Sequence, residues 1–167
     1  MTKEQKIKTN AMRLLDKHKV PYTVFTYSDT IHSADEVAPL LGVSASRVFK
    51  TLVVFADGSR HLLVVTPGDR ELDMRLVAKA VGAKDAHMAP QREAERLTGL
   101  KVGGISPLAL MDKRFEVYLD EPGAALEELY INGGLRGINL RLRVADLLNV
   151  TGAKVIQATH PPAEAAP

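Results

Sequence analysis

Hydrophobic and polar positions along the chain change period from helical to strand-like and back. Residues 4–18 carry Ile7, Ala11, Leu14 and Leu15 at helical spacing, which predicts an amphipathic helix. Pro21 follows, and Tyr22–Tyr27 alternates as a half-buried strand does. Ser33-Ala34-Asp35-Glu36 fits a capping box, predicting a helix to about Leu41 with Gly42 as its left-handed cap. The clearest pattern is the pair of apolar runs Phe49–Ala56 and His61–Pro67 around Asp57-Gly58-Ser59-Arg60, a β-hairpin signature. Leu52-Val53-Val54-Phe55 and Leu62-Leu63-Val64-Val65 are apolar throughout, as central strands covered on both faces must be.

The second half continues the alternation. Asp73 is placed to cap a helix over Met74–Val81 closed by Gly82, and another over Gln91–Thr98 ends at Gly99. A strand is expected at Phe115–Leu119, a short helix over Ala124–Glu128, and a strand over Leu129–Asn132. Gly133-Gly134-Leu135-Arg136-Gly137 makes a tight turn into Ile138–Leu142, and a last helix at Val144–Val150 precedes a strand at Lys154–Ala158. No linker-like stretch divides the chain. One α/β (α+β) domain over residues 1–158 is therefore expected, with a mixed sheet among helices, followed by a flexible tail over residues 159–167.

Composition narrows the chemistry. The chain has 167 residues, 46% apolar and 25% charged, which argues against disorder and low complexity. It has no cysteine, so disulfides, thiolate metal sites and a cysteine nucleophile of its own are excluded. No apolar run approaches the roughly 20 residues that cross a bilayer, and the opening MTKEQKIKTN is polar, so a cytoplasmic protein without membrane contact is expected. The net charge of +2 hides a gradient, because residues 1–19 hold Lys3, Lys6, Lys8, Arg13, Lys17 and Lys19 against only Glu4 and Asp16. Such a helix can meet phosphates or present a solvated face. The remainder is slightly acidic and shows no helix-turn-helix, which speaks against DNA.

Elimination leaves few candidates. The five histidines are scattered, and Asp29, His32, Asp35 and Glu36 are more simply read as helix capping than as a metal site. Ser106 lacks the Gly-x-Ser-x-Gly elbow of hydrolases, and the glycine pairs match neither dinucleotide-binding nor P-loop patterns. What remains is Lys50, which opens an apolar strand, and the two glycine turns Gly103–Pro107 and Gly133–Gly137. Lys50 can snorkel at a sheet edge or bind an anion. The glycines can be ordinary turns or can let the backbone approach a ligand.

At these residues the chain resembles the YbaK/EbsC family of aminoacyl-tRNA deacylases, relatives of the editing domain of bacterial prolyl-tRNA synthetases. The resemblance is carried by VFKTLVV (48–54), TPGDRELDMRLVAKAVGAKDAHMA (66–89), RLTGLKVGGISPL (96–108) and INGGLRGINL (131–140), with HKVPYTVFTY (18–27). It implies a mixed, mainly antiparallel sheet and removal of a wrongly attached amino acid, cysteine first, from tRNA(Pro). It implies that Lys50 holds the tRNA acceptor end and that Gly103, Gly104 and Ser106 serve catalysis, with no cofactor or metal. Tyr27, Thr51, Ile105, Pro107, Asn132, Gly133, Gly134, Arg136 and Asn139 are the implied substrate-binding positions. Serine and aspartate are familiar where this chain has Asn132 and Asn139, so the activity is implied more firmly than the amino acid removed. The implied partners are an aminoacylated tRNA and, as a candidate, prolyl-tRNA synthetase. An aminoacyl ester is already activated, and the thiol of a tRNA-bound cysteine can attack its own ester. The competing reading is a non-catalytic module that binds aminoacyl-tRNA or an amino acid beside a synthetase.

Overall fold

The computed structural model describes residues 7–162. Eight strands form one sheet: β1 (Thr23–Thr26), β2 (Val48–Ala56), β3 (Arg60–Pro67), β4 (Ala86–Met88), β5 (Glu116–Asp120), β6 (Glu128–Asn132), β7 (Ile138–Arg143) and β8 (Lys154–Ile156). Their order is β1-β7-β6-β2-β3-β5-β8, with β4 paired to β2. The helices are α1 (Asn10–Lys17), α2 (Ala34–Leu41), α3 (Met74–Val81), α4 (Gln91–Thr98), α5 (Glu121–Ala124) and α6 (Val144–Thr151). Pairs β1·β7, β2·β3, β2·β4 and β6·β7 are antiparallel, and β2·β6, β3·β5 and β5·β8 are parallel. The expected mixed, mainly antiparallel sheet is thus present.

The hairpin at its centre forms as its residues dictate. Asp57 (φ 51°) and Gly58 (φ 75°) are both left-handed, which matches the twist of the flanking strands. Asp57 also accepts a hydrogen bond from the Lys84 amide at 2.8 Å. Continuous apolarity in β2 and β3 follows from burial on both sides. Val54, Leu62 and Val64 pack with Val77 of α3, while Val53 and Leu63 pack with Ala94 of α4. The largest cluster joins α1 and α6 to β6 and β7 through Leu15, Leu129, Leu140 and Leu147. Capping sets the helix limits: Ser33 accepts from the Glu36 amide, Asp73 accepts from the Arg75 and Leu76 amides, and Gly42 and Gly82 close α2 and α3.

Four expectations are corrected. The first helix starts at Asn10, because the Thr9 hydroxyl accepts the Met12 amide and caps it. Its buried face is Ala11, Met12 and Leu15, and Ile7 stands exposed; residues 4–6 lie outside the described part of the chain. The short helix expected over Ala124–Glu128 occupies Glu121–Ala124, where Pro122 fits a first helical turn. Ala86–Met88, to which the sequence pattern assigned no element because three residues are too few for a period to show, forms a strand. Thr159 and His160, expected to begin the tail, are held in place. Thr159 is buried and donates to Asp120 at 2.5 Å, and His160 meets Asp73 at 2.9 Å. The fully buried Asp120 carboxylate also accepts from Thr66 and the Ala158 amide, so that end of the sheet is closed by a satisfied polar cluster. The rest of the expected tail, residues 163–167, lies outside the described residues.

Candidate active site

The site originates in a split of the sheet. On the edge of β2 away from β3, β6 pairs only at Val48 and Phe49, and β4 pairs only from Val54 to Ala56. The Ala89 amide reaches the Val53 carbonyl, so Lys50–Leu52 has no ladder partner on that edge. Beyond Ile131, β6 leaves β2 and runs into the Gly133–Gly137 turn. A cavity of about 50 Å³ occupies the opening, lined by residues that include Tyr27, His32, Phe49, Lys50, Thr51, Gly103, Ile105, Asn132 and Asn139.

The two glycine turns flagged in the sequence are laced together at this opening. Asn132 donates from its side-chain amide to the Gly103 carbonyl at 2.6 Å, and its carbonyl oxygen accepts from the Gly134 and Leu135 amides. Arg136 donates from Nε to the Val102 carbonyl at 2.7 Å. Gly103 has φ +88°, and a Cβ there would lie 2.4 Å from the His32 Cβ. The residue therefore has to be glycine both for its backbone angle and for its contact with the segment before α2.

The cavity holds a cation and two unpartnered polar atoms. Lys50 is half-buried, and among the described residues no carboxylate lies within 4 Å of its ammonium. Its contact is a long hydrogen bond of 3.5 Å to the Gly68 carbonyl. Thr51 Oγ1 and Asn139 Oδ1 are buried and have no hydrogen-bond partner among the described residues. Unmade buried hydrogen bonds cost on the order of 1–3 kcal/mol each, so these two atoms beside an unpaired cation are candidates for contact with a ligand. Burial pushes the Tyr27 phenol above its ordinary range, an effect partly offset by the Asn139 side chain. Tyr27 is thus a neutral hydrogen-bonding group at physiological pH.

The other expected positions separate. Gly104, Gly134 and Arg136 line a wider groove of about 610 Å³ that shares His32 with the lining of the cavity. The Gly104 amide is held by the Lys101 carbonyl at 2.7 Å, whereas among the described residues the Gly103 and Ile105 amides have no such acceptor. Ser106 and Pro107 do not line the cavity. Ser106 is fully buried, its hydroxyl accepts from the Leu108 amide, and Pro107 opens a short 3-10 turn. Gly133 is buried, and a Cβ there would lie 2.7 Å from Ile138 Cγ2. These three shape the loops that bear the site. His32, Val37 and Phe49 were missed as lining residues, and Gly68, which does not line the cavity, was missed as the carbonyl that meets Lys50. A Cβ at Gly68 would come within 2.3 Å of the Ala34 Cβ, so glycine lets the chain pass closely behind Lys50.

Residues 28–150 match the aminoacyl-tRNA editing domain family. The chain belongs to that family. Its editing-domain match takes in Lys50, both glycine turns and Asn139, and begins one residue after Tyr27. EbsC of Enterococcus faecalis, provisionally assigned as a Cys-tRNA(Pro)/Cys-tRNA(Cys) deacylase, is 36% identical over 159 residues, covering 94% of this chain and 96% of EbsC. A proline–tRNA ligase of Caldicellulosiruptor bescii is 26% identical over 134 residues, which is 75% of this chain and 23% of the ligase. A solved structure, provisionally assigned as a trans-editing enzyme for prolyl-tRNA synthetase, superposes with a TM-score of 0.78 at 25% identity. That alignment covers 93% of this chain and 99% of the other. The resemblance read from the four sequence segments is therefore borne out at the level of family and fold.

Proposed function

We propose that this editing-family protein is a trans-acting deacylase that removes a wrongly attached amino acid, cysteine first, from tRNA(Pro). The observation that carries the reading is Lys50, a half-buried cation that among the described residues has no carboxylate partner, beside Thr51 Oγ1 and Asn139 Oδ1, which have no hydrogen-bond partner among them either. An ammonium in that setting favours the phosphate or ribose end of an acceptor strand. In this reading the cavity, walled on its apolar side by Val37, Phe49 and Ile105, takes a small side chain. That suits cysteine, alanine or serine.

The chemistry asks little of the protein. An aminoacyl ester needs to be oriented and its developing oxyanion stabilised. Lys50 anchors the acceptor end, and the Gly103 and Ile105 amides, which have no protein acceptor among the described residues, are the oxyanion donors in this reading. With cysteine, the substrate thiol supplies the nucleophile. Its sulfur bonds to its own carbonyl carbon, the carbonyl–ribose oxygen bond breaks, and the ribose oxygen takes a proton. A free thiol titrates near 8.5, so a few per cent is thiolate at neutral pH without any protein base. Water then opens the cyclic thioester.

The test is a deacylation panel with Cys-, Ala-, Ser- and Pro-charged tRNA(Pro), using catalytic amounts of wild type and Lys50→Ala. Many turnovers on the cysteinyl ester are expected for wild type. A charge-assisted contact of about 1.5–3 kcal/mol implies a loss of roughly 10- to 100-fold for the variant, with its melting temperature retained. Near-normal turnover by a folded Lys50→Ala protein would remove the assigned anchor. Protection of every ester by wild type would favour the binding module instead.

A further inference from the structure

A groove of about 610 Å³ adjoins the cavity, sharing His32 with its lining, and a second stretch of about 280 Å³ adjoins that groove, sharing Leu100, Gly134 and Leu135 with it. A third stretch of about 350 Å³ shares Asn10 and Ala109 with the second and runs along α1. Together these stretches offer far more room than an amino acid requires. Their walls place Arg136 and Lys101 near the cavity and Arg13 and Lys17 at the far end. Among the described residues none of these four cations has a carboxylate within 4 Å. Asp29 and Asp112 also line the groove, without pairing with them, and Lys8 lines it while bound to Asp16. Between the charges, Leu135 is 50% exposed and Ile7 46% exposed, giving apolar patches along the path.

We propose that this groove binds the single-stranded 3′ end of the RNA that carries the ester, with phosphates passing Arg136 and Lys101 and running on toward Arg13 and Lys17. The placement rests on the deacylase reading of the cavity, since the ester must lie at Lys50 for the strand to leave by this route. Spaced cations with apolar surface between them suit a strand whose phosphates and base faces are both available. Arg13 and Lys17 of α1 thereby acquire a role that a merely solvated face would not have.

The test uses the intact protein and the triple variant Arg13→Glu/Lys17→Glu/Lys101→Glu. Three readouts are compared: deacylation of cysteinyl-tRNA, deacylation of 3′-O-cysteinyl adenosine, and binding of uncharged tRNA. The expected result is at least a tenfold loss in kcat/KM on the tRNA ester and an equal weakening of uncharged tRNA binding. Turnover of the adenosine ester stays unchanged, because that substrate has no upstream phosphates. Loss of three single-strand phosphate contacts lowers the slope of log affinity against log salt by about 2. Unchanged tRNA binding in the variant overturns the groove, whatever the deacylation assay shows. Equal slowing on both esters overturns it as well, because the effect then acts through the cavity. Wild-type protein that binds tRNA through these residues but cleaves neither ester sinks the deacylase reading and leaves the groove standing.

Discussion

The side chain of Asn132 joins two loops by donating to the Gly103 carbonyl at 2.6 Å, while its own carbonyl oxygen organises the next turn through the Gly134 and Leu135 amides. One side chain thus fixes both glycine segments that frame the cavity. Asn132→Ala leaves the Gly103 carbonyl and those amides without their partner. Destabilisation of about 1–3 kcal/mol is expected, with a fall in deacylation larger than the fraction of protein unfolded explains. Chemical denaturation and steady-state kinetics on the same preparations check this. Unchanged stability would mean that the turns hold themselves.

Gly103 and Gly58 both have positive φ, but their surroundings differ. A Cβ at Gly103 would meet His32 at 2.4 Å, and one at Gly58 would meet nothing within 4 Å. Gly58→Ala therefore costs the left-handed strain alone, about 1–2 kcal/mol. Gly103→Ala costs that plus displacement of the segment before α2, so it is the more destabilised and loses activity. Equal unfolding midpoints for the two variants would contradict the close approach.

Much of this arrangement was legible in the sequence because local physics decides it. The Asp57-Gly58 turn, the Ser33 and Asp73 caps and the unbroken apolarity of Leu62–Val65 each act over a few residues, and each is found where it was expected. Lys50 and the glycine turns stood out by elimination and by resemblance, and they line the cavity or its groove. What escaped depends on tertiary pairing. The opening beside Lys50 exists because β6 and β4 share one edge of β2 without meeting, and β4 is only three residues long. Ser106 sits inside the expected motif, yet its hydroxyl faces the backbone of the following turn, a direction that sequence spacing does not give.

The pH dependence of stability follows from Glu116. Arg60 grips its carboxylate through Nε at 2.8 Å and an Nη at 2.6 Å, and the Tyr118 hydroxyl donates to it at 2.7 Å. The Arg60 contact, first among the causes, holds the Glu116 pKa below its ordinary value. A depressed folded value means that this stability is present above the unfolded value near 4.5 and is lost as pH falls through the folded one. Burial, then Glu116, pushes Tyr118 up to about 12, so its contribution is present below about 10 and is lost as pH rises toward 12. The ion pair is partly exposed, which limits the effect to about 1 kcal/mol or less. Glu116→Gln should flatten the acid limb of a stability profile as pH falls below about 4.5. An identical acid limb in both proteins would assign acid sensitivity elsewhere.

Thr51 separates a ligand-directed group from a structural one. Its Oγ1 is buried and has no hydrogen-bond partner among the described residues, so the cost of its burial is compensated by no bond to them. Thr51→Val keeps the branched shape suited to the strand and removes that cost. If the hydroxyl serves substrate, the variant is as stable as wild type or up to about 1 kcal/mol more stable, and its deacylation slows about tenfold, the price of one lost hydrogen bond. Stability and activity then move in opposite directions, which no purely structural role produces. Melting curves set beside kcat/KM for wild type, Thr51→Val and the conservative Thr51→Ser decide the matter, since serine restores the hydroxyl and should recover turnover. Loss of stability in Thr51→Val, with activity falling in proportion, would show that the hydroxyl supports the fold.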